Sequence, residues 1–217
     1  MMIHGQPSTM SNPSSLDSAP WRTPAGGVIV WVALVAIAVI GRGWQPTWNG
    51  EPLWNATPLA AVALAAGYVF RSSAVAATVP LVALGLGNLM LPGYGNVAIA
   101  AVVYAATAWP VVLGAWGCLG RGRPRWPAVI GGSLASSLVF FLSTNLAHWA
   151  FTTDYPHTGA GLAACFTAAL PFYRWMPVGD AAWSLVVFGL LAAAWSAADA
   201  ASARRLHPHP VSSRTLD

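Results

Sequence analysis

Residues 136–180 read SSLVFFLSTNLAHWAFTTDYPHTGAGLAACFTAALPFYRWMPVGD, and this stretch decides the fold. No Asp, Glu, Lys or Arg occurs between positions 126 and 153. At ~1.5 Å per helical residue, that run is long enough to cross a bilayer core. Near its end it holds Ser143, Thr144, Asn145 and His148. Ser133, Ser137, Phe141, Thr144 and His148 recur at spacings of three and four and so share one helix face, which Asn145 borders. Polar groups at membrane depth are costly unless they meet protein or water, so this stripe is expected to point inward.

The whole composition agrees. The chain is 56% hydrophobic, and only 7% of its residues are charged, too few to give a soluble domain its surface. The net charge of +4 comes from arginine alone, because there is no lysine. A small excess of this kind on an apolar chain marks membrane topology, not nucleic-acid binding. Cys118 and Cys165 stand alone in apolar runs and suit neither a zinc site nor a disulfide framework. Residues 1–24, rich in Ser and Pro, and residues 204–217 read as tails around one membrane domain at 25–203.

Six spans are expected, near 26–40, 58–70, 74–90, 97–119, 127–151 and 180–203. Leu91-Pro-Gly-Tyr-Gly-Asn96 divides the third from the fourth. Residues 159–171 are too short to span and read as an extra helix in the fifth loop. With both ends cytoplasmic, Arg22, Arg71, Arg121, Arg123, Arg125, Arg204, Arg205 and Arg214 lie inside, against Arg42 and Arg174 outside. This positive-inside bias orients the chain and would vanish if 159–171 also crossed.

The candidate binding residues then gather on the outer side: Asn55, Asn88, Tyr94, Thr144, Asn145, His148, Tyr155 and Asp180. Such a set suits a polar or amphipathic small molecule in a mostly apolar pocket. Each also has a structural reading. His148 and Asn145 can bond between helices, Asp180 can cap the last span, and Asn88 can end the third. The tryptophans near span ends, Trp21 and Trp44 among them, read as an interfacial belt. Ala61, Ala65 and the Ala63–Gly67 pair form a small-residue face, for internal packing or for docking another subunit. There is no P-loop, HExxH or CxxC motif, and no span sets a nucleophile beside a base. No catalytic residue, metal or cofactor is expected.

Asn55-Ala-Thr-Pro58, Ser143-Thr-Asn145, Tyr155-Pro156, Gly161-Leu-Ala-Ala-Cys165, Ala169-Leu-Pro-Phe172 and Gly179-Asp180 resemble a family of bacterial membrane proteins of unknown function, described as transport proteins. That family is similar in turn to the substrate-binding S components of energy-coupling factor vitamin transporters. The resemblance implies an all-α, six-helix bundle in the bacterial cytoplasmic membrane. It implies a vitamin-like ligand near the outer face, closed over by the first and fifth loops, with a membrane coupling subunit and ATPases as partners. Two departures stand out. The small-residue face lies on the second span where S components carry it on the first, and Asn88 stands where relatives commonly have Asp. A self-sufficient secondary transporter and a structural or assembly protein are the competing classes.

Overall fold

Each helix starts where an oxygen-bearing side chain or a proline meets an apolar run, as helix start signals require. The computed structural model describes residues 19–44, 47–53, 55–89, 93–120 and 123–206. Thr23 caps α1 (Pro24–Gly43) by accepting from the Gly26 amide. A short antiparallel hairpin, β1 (Thr47–Trp48) and β2 (Glu51–Pro52), occupies the first loop. Pro58 precedes α2 (Leu59–Val69), and Ser72 caps α3 (Ser73–Asn88). Asn96 caps α4 (Val97–Ala115) and also donates to the Phe151 carbonyl at the end of α5 (Trp126–Phe151). Thr158 caps α6 (Gly159–Tyr173), and α7 runs from Met176 to Leu206.

Four of these helices, α1, α4, α5 and α7, are long and apolar enough to cross a membrane. The other two expected spans, 58–70 and 74–90, form as helices at those positions, α2 and α3, but are shorter than these four. α2 has 11 residues, about 16 Å of helix, roughly half of the ~30 Å hydrocarbon core. Pro58 stands at its start, where the expected span begins. α3, with 16 residues, also falls short. The last span begins at Met176, four residues before Asp180, which places Asp180 inside the helix instead of at its cap.

The short α2 is the centre of the bundle, packed against α4, α3, α7, α1 and α5. All of Ala61, Val62, Ala63, Leu64, Ala65 and Ala66 are fully buried. The small-residue face is thus consumed internally, and Ala61 and Ala65 offer nothing to a partner subunit. Gly67 and Gly114 mark the point where α2 and α4 come closest. A Cβ on Gly67 would overlap the Val111 carbonyl oxygen, and one on Gly114 would overlap that of Leu64. The outside is apolar, with Leu134, Leu138, Leu142 and Leu146 of α5 and Leu185, Val186 and Leu190 of α7 exposed.

Order also begins earlier than residue 25. Trp21, in a 3-10 turn at Pro20–Arg22, is buried edge-on against Trp195 of α7, so it belongs to the core and not to an interfacial belt. The remainder of the two tails, 1–18 and 207–217, and residues 91–92 of the turn at 91–96 lie outside the described residues. α6 forms as expected and continues through Pro171 to Tyr173, resting on α5 through Phe141, Phe166 and Tyr173. A cysteine at position 203 should resist labelling by a membrane-impermeant thiol reagent from outside intact cells. Efficient labelling there would overturn the expectation, drawn from the arginine bias, that the C-terminus is cytoplasmic.

Candidate functional site: a charged cavity under the first loop

Asp180 is the most deeply buried charged side chain described, 4% exposed. It sits one turn inside α7 because the apolar run of that helix starts before it. Ser137 of α5 donates to its Oδ2 at 2.5 Å. Ser137 and Ser133 come from the inward stripe of α5, and both are fully buried, as is Phe141 nearly so. Ser184, one turn further along α7, continues the polar seam.

Asp180 opens onto a cavity of about 70 Å³ at the N-terminal end of α2. Arg42, Asn55, Thr57, Thr107 and Ser136 supply the rest of its polar lining, beside apolar groups such as Phe140 and Met176. Arg42 reaches it from the last turn of α1, and Asn55 and Thr57 come from the end of the first loop. Asn55 holds a left-handed backbone, φ 62°, which asparagine tolerates better than most residues. Pro110 of α4 also lines the cavity and has no N–H for the carbonyl of Ala106, another wall residue. That carbonyl lacks its helical donor at the cavity wall.

Arg42 is held in place by α3. Its guanidinium donates to Asn88 Oδ1 at 3.0 Å, and Asn88 in turn donates to the Tyr104 hydroxyl at 3.3 Å. The stem crosses Gly87, where a Cβ would lie 2.5 Å from Arg42 Cδ. Arg42 Nε is buried and finds no hydrogen-bond partner. Asp180 and Arg42 make no ion pair with each other. The cavity therefore carries one carboxylate and one guanidinium that do not neutralise each other, inside an apolar bundle.

A second, apolar groove of about 600 Å³ lies on the other side of the first loop. Trp44, Leu53, Ala56, Trp175, Gly179 and Trp183 line it. Ala56 is pressed on α7, where a Cβ on Gly179 would lie 2.6 Å from the Ala56 Cα, and Trp183 donates to the Ala56 carbonyl. Leu53, Asn55, Ala56 and Thr57 thus form a partition, with Asn55 and Thr57 on the charged cavity and Leu53 and Ala56 on the apolar groove.

The family model for DUF6580, a family of unknown function, matches residues 23–203. The chain belongs to that family. The match covers every residue of the cavity. No curated protein and no solved structure matches the chain.

In this DUF6580 member the eight sequence candidates separate into three groups. Asp180 and Asn55 line the cavity, and Asn88 stands behind it as the support of Arg42. Tyr94, half-buried, packs on the hydrophobic core. Thr144, Asn145, His148 and Tyr155 form a different set at the α5–α6 turn. Thr144 and Asn145 donate to the Phe140 and Phe141 carbonyls of their own helix. This back-bonding satisfies the Thr144 hydroxyl donor and one of the two Asn145 amide donors. His148 Nε2 lies 3.0 Å from Asp154 Oδ2, and its ring meets Tyr155 edge-on. Trp149 closes the turn by donating to the Pro156 carbonyl. Both partners of the His148–Asp154 pair are substantially exposed, so a double-mutant cycle with His148→Ala and Asp154→Asn should give a coupling below about 1 kcal/mol. A larger coupling would show the turn to be held by this pair.

Arg42, Thr107 and Ser136 are the site residues that sequence reasoning missed. The signal for Arg42 was its place in the last turn of an otherwise apolar helix; as an interfacial anchor it looked unremarkable.

Proposed function

We propose that this protein captures a small amphipathic molecule within the membrane, with the charged cavity taking its polar end. The observation that carries this reading is the buried Asp180 and the half-buried Arg42 sharing one cavity without pairing. Ionisable groups at membrane depth are retained at a cost, and they mark ligand or ion sites by default. A ligand with a donor or cationic group for Asp180 and an acceptor or anionic group for Arg42 satisfies both. At about 70 Å³ the closed cavity takes a polar head and not a whole vitamin-sized molecule. The groove of about 600 Å³ beyond Asn55, Ala56 and Thr57 offers room for an apolar body.

On this reading the chain is the substrate-binding subunit of an importer for a vitamin-like molecule, similar to an energy-coupling factor S component. A coupling subunit and ATPases in the cytoplasmic membrane of a bacterium would be its partners, and it performs no catalysis of its own. With Ala61 and Ala65 buried, a coupling subunit docks on some face other than the α2 small-residue face.

One observation favours a second reading, a self-sufficient secondary transporter. That class uses a buried carboxylate to couple ion and solute movement, and Asp180 is such a group.

Mass spectrometry of small molecules released from the denatured, purified protein tests the site. A compound present with wild type and absent with Asp180→Asn and Arg42→Gln supports it. Equal recovery from all three removes the cavity as the binding site. Proton uptake by proteoliposomes holding this chain alone, driven by that compound, would select the second reading.

A further inference from the structure

The opposite ends of α1 and α2 carry a second basic site. Arg22 precedes α1 and Arg71 follows α2, whereas the charged cavity takes its residues from the end of α1 and the start of α2. Two adjoining pockets, of about 330 and 300 Å³, share Arg22, Phe70 and Arg71. Tyr68, Ser73 and the turn holding Gly117 and Gly120 complete the polar wall. Both glycines have positive φ, 72° and 105°. A Cβ on Gly120 would lie 3.1 Å from Arg125 Cγ, so the basic loop borders the same site.

Phe70 also belongs to a third cavity, and this one is apolar. Its other walls are Pro24, Gly27, Val28, Trp31 and Val75, and its volume is about 310 Å³. Val28 and Val75 are exposed on the outside of the bundle, so this groove faces whatever surrounds the helices. A basic pocket thus runs through one shared side chain into an apolar groove along α1 and α3.

We infer that Arg22 and Arg71 bind the phosphate of an anionic membrane lipid, with an acyl chain lying in the groove beside Val28 and Trp31. Guanidinium groups match phosphate oxygens with paired donors, and Arg is the preferred partner for them. The apolar groove is what selects a lipid over a free phosphate ester, because a soluble phosphate leaves it unused. The arginine bias that orients the chain gains a specific use here, since anionic headgroups collect at a basic membrane face.

Native mass spectrometry of the delipidated full chain in detergent tests this, with phosphatidylglycerol, phosphatidylcholine and glycerol 3-phosphate as probes. Phosphatidylglycerol should bind in preference to phosphatidylcholine. Arg22→Gln and Arg71→Gln should each lower its binding about fivefold, and Arg71→Lys should keep most of it. Val28→Trp, which fills the groove from an exposed position, should also lower it without changing elution on size exclusion. Equal binding of the two lipids would overturn the proposal, as would unchanged phosphatidylglycerol binding in an Arg22→Gln/Arg71→Gln double variant. Glycerol 3-phosphate displacing the lipid at equal concentration would assign the pocket to a soluble phosphate and overturn the lipid assignment.

Discussion

Replacing Gly67 with leucine should unfold the bundle. Gly67 sits at the α2–α4 crossing, where an added Cβ would overlap the backbone oxygen of Val111. Gly114 on the facing helix has the same relation to Leu64, so the two helices touch backbone to backbone and neither can retreat locally. α2 has no free side to move into, because α3, α7, α1 and α5 enclose the rest of it. Overpacking costs roughly 1–3 kcal/mol where neighbours relax, and backbone against backbone in an enclosed helix belongs at or above the upper end. Loss of about 3 kcal/mol or more, seen as a collapsed melting transition and aggregation on size exclusion, is the expected outcome. Gly131→Leu is the control. A Cβ there meets nothing within 4 Å, and leucine is the better helix former, so its melting temperature should hold or rise. If Gly67→Leu melts with wild type, the close crossing of α2 and α4 is wrong.

The membrane character and most helix positions were legible because apolar runs and start signals are local properties. Asn96 and Thr158 cap the helices they precede, and α5 holds its whole expected length. α2 keeps its expected bounds because Pro58 starts it and the chain turns after Val69; its burial at the centre of the bundle was not legible, since that depends on tertiary packing. The hydroxyl and amide groups ending α5 looked like a ligand site by composition. Their donors turn back onto their own helix, a choice that spacing does not reveal. Asp180 was legible as a polar residue that needs a partner; its burial was not, since that depends on where α7 begins. Arg42 joins it only through tertiary contact, with Asn88 of α3 fixing the direction of its side chain.

Replacing Asp180 with leucine should separate function from stability. A carboxylate that served only to hold α5 and α7 together would be missed when removed. The geometry says otherwise. Its described hydrogen-bond partner is Ser137, whose hydroxyl also lies 3.2 Å from the Ser133 carbonyl and stays satisfied without the carboxylate. Arg42 keeps its bond to Asn88, because it does not pair with Asp180. Leucine replaces a desolvated charge with an apolar group among Phe140, Met176 and the walls of α2 and α4. A buried carboxyl group costs desolvation that an apolar side chain does not, so an unchanged or raised melting temperature is expected here. Binding should move the other way. The ligand head loses its charged partner in a water-poor cavity, a loss of about 3 kcal/mol, which is about 100-fold in affinity. Melting temperature and retention of the co-purifying compound, measured on the same preparations, decide it. A raised or unchanged melting temperature with retention lost identifies Asp180 as a binding group kept at the expense of stability. A fall of many degrees with retention intact would make Asp180 a structural tie between α5 and α7, and the charged cavity would lose its claim to a ligand.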